Sequence, residues 1–292
     1  MGKLIRCITS DGAVMATSVD TTDMVNKAVY YQRTSAVVSA ALGRLLTASS
    51  MMGNMLKGNE DSITLRIASD GEIGSLIAVS DSNGDARGYV TNPIVEIPLN
   101  AKGKLDVSGA VGKNGVLFVL KDLGLKEPYN GQVPLVSGEI AEDITAYYAM
   151  SEQIPTVCAL GVLVNPDLTV KAAGGYLIQL LPGADEDTIN KLEQSIAGMD
   201  SVTNMLSTGE TPESIVKRAL KDFEVEVLYE RDVSYKCNCS RERVERALLS
   251  MGTKELLNIA DEQKFTEVKC HFCDRKYRFS SDSLRKLSAS EK

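Results

Sequence analysis

Strand-like and helix-like patterns of apolar residues alternate over the first 180 residues of the chain. Two apolar-rich runs, Leu4 to Thr9 and Val14 to Val19, are joined at Asp11-Gly12, which predicts a hairpin. Asp-Gly and Asn-Gly turn pairs separate four further short runs, at residues 63–68, 75–79, 86–90 and 116–120. Together these runs predict a curved, mainly antiparallel sheet with helices packed against it.

A different period marks residues 35–56, which are rich in Ala, Leu and Met. Their apolar side chains recur at helical spacing and predict a helix with one buried face: Val38, Ala41, Leu45, Ala48, Met52 and Met55. Another helical run follows Ser137-Gly138-Glu139 and ends at Pro155. Its adjacent carboxylates, Glu142 and Asp143, are interpreted as a solvated first turn rather than a general acid–base pair.

Beyond Pro182-Gly183 the pattern changes to short helices. Asp185 caps one that runs to Gly198, and Thr211 with Pro212 starts another. Neither is long enough to be stable alone in water, so both must pack on a neighbour. The predicted domains are therefore a core (1–182), a helical linker (183–231) and a small C-terminal module (232–292), in an α+β protein.

The C-terminal module begins with a predicted helix from Ser240 to Met251, whose proposed apolar face is Val244, Ala247, Leu248 and Met251. A module of this size cannot form a firm core by itself, so the sequence predicts that bound metal supports it.

Composition favours a soluble protein: of 292 residues, 43% are hydrophobic and 24% charged. We find no apolar run that indicates a membrane span and no export signal after Met1, so the expected location is the cytoplasm. The glycines form neither a P-loop nor a dinucleotide-binding motif, so ATP use is not expected.

Charge is unevenly distributed, with 18 basic against 29 acidic residues in 1–230 and 14 against 10 in 231–292. A basic metal-binding tail is compatible with a zinc-finger nucleic-acid binder. The acidic body would repel phosphates over most of its surface, so binding to nucleic acid is not expected.

Four of the six cysteines form two close pairs near the C-terminus, Cys237-x-Cys239 and Cys270-x-x-Cys273. Two thiolate pairs complete a closed tetrahedral site, so the spacing predicts one structural Zn²⁺ per chain. His271, the single histidine, is not expected to be a ligand. The remaining two cysteines, Cys7 and Cys158, are predicted to be inert core residues.

Lysine and arginine residues flank these thiols, namely Lys236, Lys269, Arg275 and Lys276. Cations favour the thiolate that oxidants attack, which indicates a redox sensor. A purely structural staple explains the same residues almost as well. A thiol oxidoreductase is disfavoured because Cys270-x-x-Cys273 lies between two strand-like runs, not at the start of a helix.

The whole chain resembles the bacterial redox-regulated 33 kDa chaperonin, a family of heat-shock holdases. The resemblance rests on both cysteine pairs and on the runs at 128–143 (PYNGQVPLVSGEIAED), 151–155 (SEQIP) and 173–175 (AGG). It implies a chaperone that is not an enzyme and that needs no ATP. In the reduced state it would hold zinc and be inactive.

The resemblance also implies how oxidants such as hypochlorite or peroxide, with heat, would activate the protein. Cys237 would form a disulfide with Cys239, and Cys270 with Cys273, as zinc is lost and part of the chain unfolds. Exposed apolar surface would then bind unfolding client proteins. Homodimers, at least in the active form, and no membrane partner are the further expectations.

Overall fold

The computed structural model describes residues 1–289, which form twelve strands and ten α-helices. The strands are β1 (Gly2–Thr9), β2 (Val14–Asp20), β3 (Ser62–Ser69), β4 (Ser75–Asp81), β5 (Ala86–Val90), β6 (Gly115–Asp122), β7 (Tyr129–Pro134), β8 (Thr156–Val164), β9 (Val170–Leu180), β10 (Val225–Val233), β11 (Phe265–Lys269) and β12 (Lys276–Ser280). The helices are α1 (Thr22–Gln32), α2 (Ala36–Gly53), α3 (Val107–Val111), α4 (Ala141–Tyr147), α5 (Glu186–Ala197), α6 (Val202–Ser207), α7 (Pro212–Ala219), α8 (Arg241–Leu249), α9 (Thr253–Glu262) and α10 (Ser281–Ala289). A π-helical turn, Tyr148–Glu152, continues α4.

The chain divides into two compact units, Met1–Lys236 and the residues from Cys237 onward. The predicted α+β class, with mainly antiparallel strands and a small C-terminal part that carries four cysteines, is confirmed. Residues 183–231, predicted as a separate linker, lie in the first unit. The division into three domains stays a prediction.

Two five-stranded antiparallel sheets form the first unit. Sheet 1 has the order β10-β1-β2-β9-β8, and sheet 2 has the order β5-β4-β3-β6-β7. The predicted N-terminal hairpin lies in sheet 1, where Gly12 at its turn takes φ +71°. The four later predicted strands all lie in sheet 2. The single sheet expected from the pattern is therefore two.

Helix α2 lies between these sheets, against β4 on one side and β8 and β9 on the other. All but two of its 18 residues are buried, so it is covered on every side rather than on one face. By length and composition alone this helix could cross a membrane, contrary to the expectation from the sequence, and 89% of it is buried inside the fold. A buried core helix meets the same criterion, and α2 packs as one.

A second apolar layer lies on the opposite face of sheet 1. We call α5, α6 and α7 the helical cover, and the side chains beneath them the covered face: Ile5, Cys7, Val14, Ala16, Tyr176 and Ile178. The cover contributes Leu192, Met205 and Ile215, all buried. Asp185 and Thr211 accept hydrogen bonds from Thr188 N–H and Ser214 N–H and cap α5 and α7, as predicted.

Asp143, predicted to lie in a solvated turn, is completely buried. Its carboxylate accepts hydrogen bonds from the backbone N–H groups of Val136 (2.7 Å), Ser137 (3.1 Å) and Ile140 (2.9 Å). The solvated interpretation holds for Glu142, which is exposed, but it was wrong for Asp143 because the preceding loop folds back over the start of α4. Asp143 therefore holds that loop in place.

The second unit contains α8, α9, the β11–β12 hairpin and α10 around a small core: Leu248, Leu256, Ala260, Tyr277, Phe279 and Leu284. The predicted helix is present as Arg241–Leu249. Of its predicted apolar face, Leu248 is buried, whereas Ala247 is exposed and Met251 is 51% exposed. Met251 lies outside the core because the helix ends two residues before it.

Candidate metal centre

The four C-terminal cysteines converge in the second unit. Their sulfur atoms all lie within 4.8 Å of one another, and each residue is half-buried. The Cys237 and Cys270 sulfurs are 3.7 Å apart, and the Cys239 and Cys273 sulfurs are 3.4 Å apart. Two segments separated by thirty residues therefore meet at one point.

A hairpin positions the second pair. Cys270 and Cys273 lie in the turn between β11 and β12, where Cys270 N–H donates to Arg275 O (2.9 Å) and Asp274 N–H donates to Cys270 O (3.0 Å). Asp274 takes φ +59°, a left-handed conformation that tightens the turn. The first pair lies in the extended segment that ends at Ser240, the N-cap of α8.

The size of the cluster fits a zinc ion. With Zn–S bonds of about 2.3 Å, a tetrahedron has S–S edges of about 3.8 Å, close to the two distances above. Four thiols with no oxygen ligand favour Zn²⁺ over hard cations. Among residues 1–289 this group consists of the four cysteines, without His271. The cluster could thus bind a metal ion in a closed site.

Ionisation is unequal across the cluster. Burial opposes charge on Cys239, but hydrogen bonds from Tyr277 and from the neighbouring thiols outweigh it and lower its pKa to about 7. Burial raises the pKa of Cys237 and of Cys273. The Tyr277 hydroxyl and the neighbouring thiols therefore stabilise the thiolate form of Cys239.

Of the four predicted cations, three have carboxylate partners. Lys236 pairs with Asp85 (3.1 Å), Lys269 with Asp274 (2.9 Å) and Lys276 with Glu267 (2.7 Å). Arg275 instead interacts electrostatically with Tyr277, Cys239 and Cys273.

The other two cysteines lie in the first unit. Burial raises the pKa of Cys7 to about 11 and that of Cys158 to about 12. Thiols that resist ionisation react slowly with oxidants, in line with the expectation that both are inert.

Sequence reasoning missed Tyr277, whose hydroxyl donates to Cys239 Sγ at 3.1 Å. A signal was present in β12, where Tyr277 and Phe279 alternate with Lys276 and Arg278. That alternation marks the inward side of the strand, although it does not reveal which thiol the hydroxyl reaches.

Comparison with known proteins gives a consistent result. Residues 2–280 match the family model described as Hsp33 protein. The chain is 47% identical to the 33 kDa chaperonin of Geobacillus sp. (strain WCH70), covering 97% of this chain and 96% of that protein. It is 48% identical to that of Lachnoclostridium phytofermentans, covering 97% of each. The crystal structure of the Thermotoga maritima 33 kDa chaperonin superposes with a TM-score of 0.89 at 37% identity, over 99% of this chain and 98% of that one.

Proposed function

The chain belongs to the Hsp33 family of chaperones, which are not enzymes, and from this we propose that it is a holdase switched by oxidation. The convergence of four thiols in one closed cluster carries the proposal, since the same atoms can either hold Zn²⁺ or form disulfides. In the reduced state, one zinc per chain is bound by Cys237, Cys239, Cys270 and Cys273. In that state the chaperone is inactive.

Zinc supplies a structural crosslink between the two cysteine segments. Apparent binding energies of roughly 10–16 kcal/mol are typical of small zinc modules and exceed the stability that so small a core provides. The second unit, with only six buried side chains in its core, therefore needs the ion to stay folded. Any reaction that removes thiolates from the ligand set unfolds it.

Peroxide is an oxidant that can perform this reaction. A thiolate attacks one peroxide oxygen, the O–O bond breaks, and the products are a sulfenic acid and hydroxide, which takes a proton from solvent to become water. The neighbouring thiol attacks the sulfenic sulfur, forming the S–S bond and releasing a second water, so each disulfide consumes one peroxide and two electrons pass to it. We propose that Cys237 pairs with Cys239 and Cys270 with Cys273. The S–S contacts of 3.7 Å and 3.4 Å each join a thiol of one pair to a thiol of the other, so the pairing is tested by direct mapping.

We propose the covered face of sheet 1 and the inner sides of the helical cover as the client-binding surface. The cover helices have 12, 6 and 8 residues, too short to persist without the sheet. Just before Cys237 in the chain, Ser234 N–H donates a hydrogen bond to Asp85 and Lys236 forms an ion pair with it. Loss of order at the cysteines removes the restraint on this end of the first unit and allows the cover to detach. A large apolar surface then binds unfolding proteins without ATP.

Further elements of the proposal concern partners and place. The active form is a homodimer in the cytoplasm, acts under oxidative or heat stress, and binds neither nucleic acid nor membranes.

The decisive experiment measures zinc and chaperone activity together. Zinc release is followed with a chelating dye while light scattering reports aggregation of a heat-denatured client, before and after peroxide at raised temperature. We expect one zinc per chain to be released as aggregation is suppressed, and reductant with zinc to reverse both. Peptide mapping identifies the disulfides. Retention of zinc, or suppression that does not depend on oxidation, contradicts the proposal.

A further inference from the structure

The Tyr277 hydroxyl distinguishes one cysteine of the cluster from the other three. It donates a hydrogen bond to Cys239 Sγ at 3.1 Å, from a side chain that is 9% exposed. The ring packs in the core of the second unit with Phe279 and Leu256. The Arg275 guanidinium lies near the same hydroxyl, and its charge favours donation of the O–H proton toward the sulfur.

We propose that Tyr277 is a positioning residue for Cys239 that strengthens metal binding and slows oxidation of this sulfur. The inference rests on the proposed function, because it assumes that Cys239 ligates zinc in the reduced protein. It concerns the zinc affinity of the reduced state and its rate of oxidation, neither of which the cysteine spacing predicts.

The physical reason is the charge of the site. Four thiolates around Zn²⁺ carry a net charge of minus two, and a buried site stabilises it with hydrogen bonds to sulfur. A donor bound to a thiolate also withdraws electron density and lowers its nucleophilicity toward peroxide. Both effects act in the same direction, since each favours the reduced, metal-bound state.

A purely structural role is the competing explanation, because the Tyr277 ring fills the small core of the second unit. Tyr277→Phe separates the two, since it keeps the ring and removes the hydroxyl. Tyr129→Phe is the matched control: it removes a tyrosine hydroxyl that bonds Ser151 (3.1 Å) in the first unit.

The first measurement is zinc affinity of the full-length reduced chain, by competition with a chelator of known affinity. Losing a partner of a metal ligand typically weakens binding by about 10- to 100-fold, and we expect Tyr277→Phe to weaken it by about 10-fold. Tyr129→Phe should match the wild type. Equal affinities for Tyr277→Phe and wild type overturn the inference.

The second measurement uses Co²⁺ in place of zinc, because its sulfur-to-metal charge-transfer band reports directly on the thiolates. Without the hydroxyl, the Cys239 sulfur holds its electrons less tightly, so the band should move to longer wavelength in Tyr277→Phe. A change that only loosened the core would leave the band in place. An unshifted band therefore overturns the inference even if affinity falls.

Oxidation kinetics complete the test. With peroxide, formation of the disulfide that contains Cys239 should be several-fold faster in Tyr277→Phe than in the wild type or Tyr129→Phe. If wild type binds no zinc, or oxidation does not activate it, the proposed function fails. If wild type behaves as proposed and Tyr277→Phe is indistinguishable from it, only the role of Tyr277 fails.

Discussion

Replacing Ile215 with alanine should activate the protein without any oxidant. Ile215 lies in α7, one of the three helices of the helical cover. Its side chain is 1% exposed and packs against the covered face. Truncating a fully buried isoleucine to alanine typically costs about 2–5 kcal/mol, because apolar contacts are lost and a cavity remains. Here the cost weakens the attachment of an eight-residue helix rather than the centre of the fold.

A weaker attachment of α7 greatly increases the fraction of molecules in which the helical cover has detached from sheet 1. At about 1.4 kcal/mol per factor of ten, a loss of 2–5 kcal/mol raises the fraction with a detached cover by about 30-fold to several thousand-fold. Reduced, zinc-loaded Ile215→Ala should therefore bind an apolar fluorescent dye and suppress aggregation of a heat-denatured client.

The control is Ile63→Ala, which makes the same truncation at a residue that is also 1% exposed but lies in the main core with α2. It should lose comparable stability in urea yet stay inactive while reduced. Equal activation of both variants would show that any destabilisation suffices. Inactivity of Ile215→Ala, at the expected loss of stability, would refute the assignment of the client surface.

Three further outcomes follow from buried or anchored side chains. Asp143→Ala should lower the free energy of unfolding, measured in urea, by at least about 3 kcal/mol, because several buried N–H groups lose a charged acceptor; a loss below about 1 kcal/mol contradicts the role given to this carboxylate. In reduced, zinc-loaded protein at pH 8, iodoacetamide should leave Cys7 and Cys158 unmodified in peptide maps, since their raised pKa values keep all but about one thiol in a thousand protonated. Asp85→Ala should speed amide hydrogen exchange at Ser234, whose N–H donates to this carboxylate at 2.8 Å, while exchange in β3 stays unchanged.

Local signals predicted much of this structure. The hairpin of β1 and β2, the caps Asp185 and Thr211, and the turn that carries Cys270 and Cys273 each depend on residues close in the chain. For the same reason the cysteine spacing predicted a cluster. The four sulfur atoms can converge because each of two short segments carries a pair of thiols.

Features that depend on distant residues could not be predicted in the same way. β1 pairs with β10, with Gly2 opposite Val233, and no pattern within either strand specifies that partner. The burial of Asp143 depends on the fold of residues 136–140, so its position near a helix start suggested solvent instead. The contact of Tyr277 with Cys239 spans two segments that are 38 residues apart.

The covered face precedes the helical cover along the chain, and this order has a consequence for synthesis of the protein. By the end of β9 at Leu180 the ribosome has produced the whole covered face, whereas the helical cover ends only at Ala219. At 5–20 residues per second, these last residues, about 40 in number, take roughly 2–8 s to synthesise. Each newly synthesised chain therefore passes through an interval in which the covered face has been made and the helical cover has not. During that interval the nascent protein is itself prone to aggregate, and in dense polysomes it is exposed to other copies of itself in the same condition.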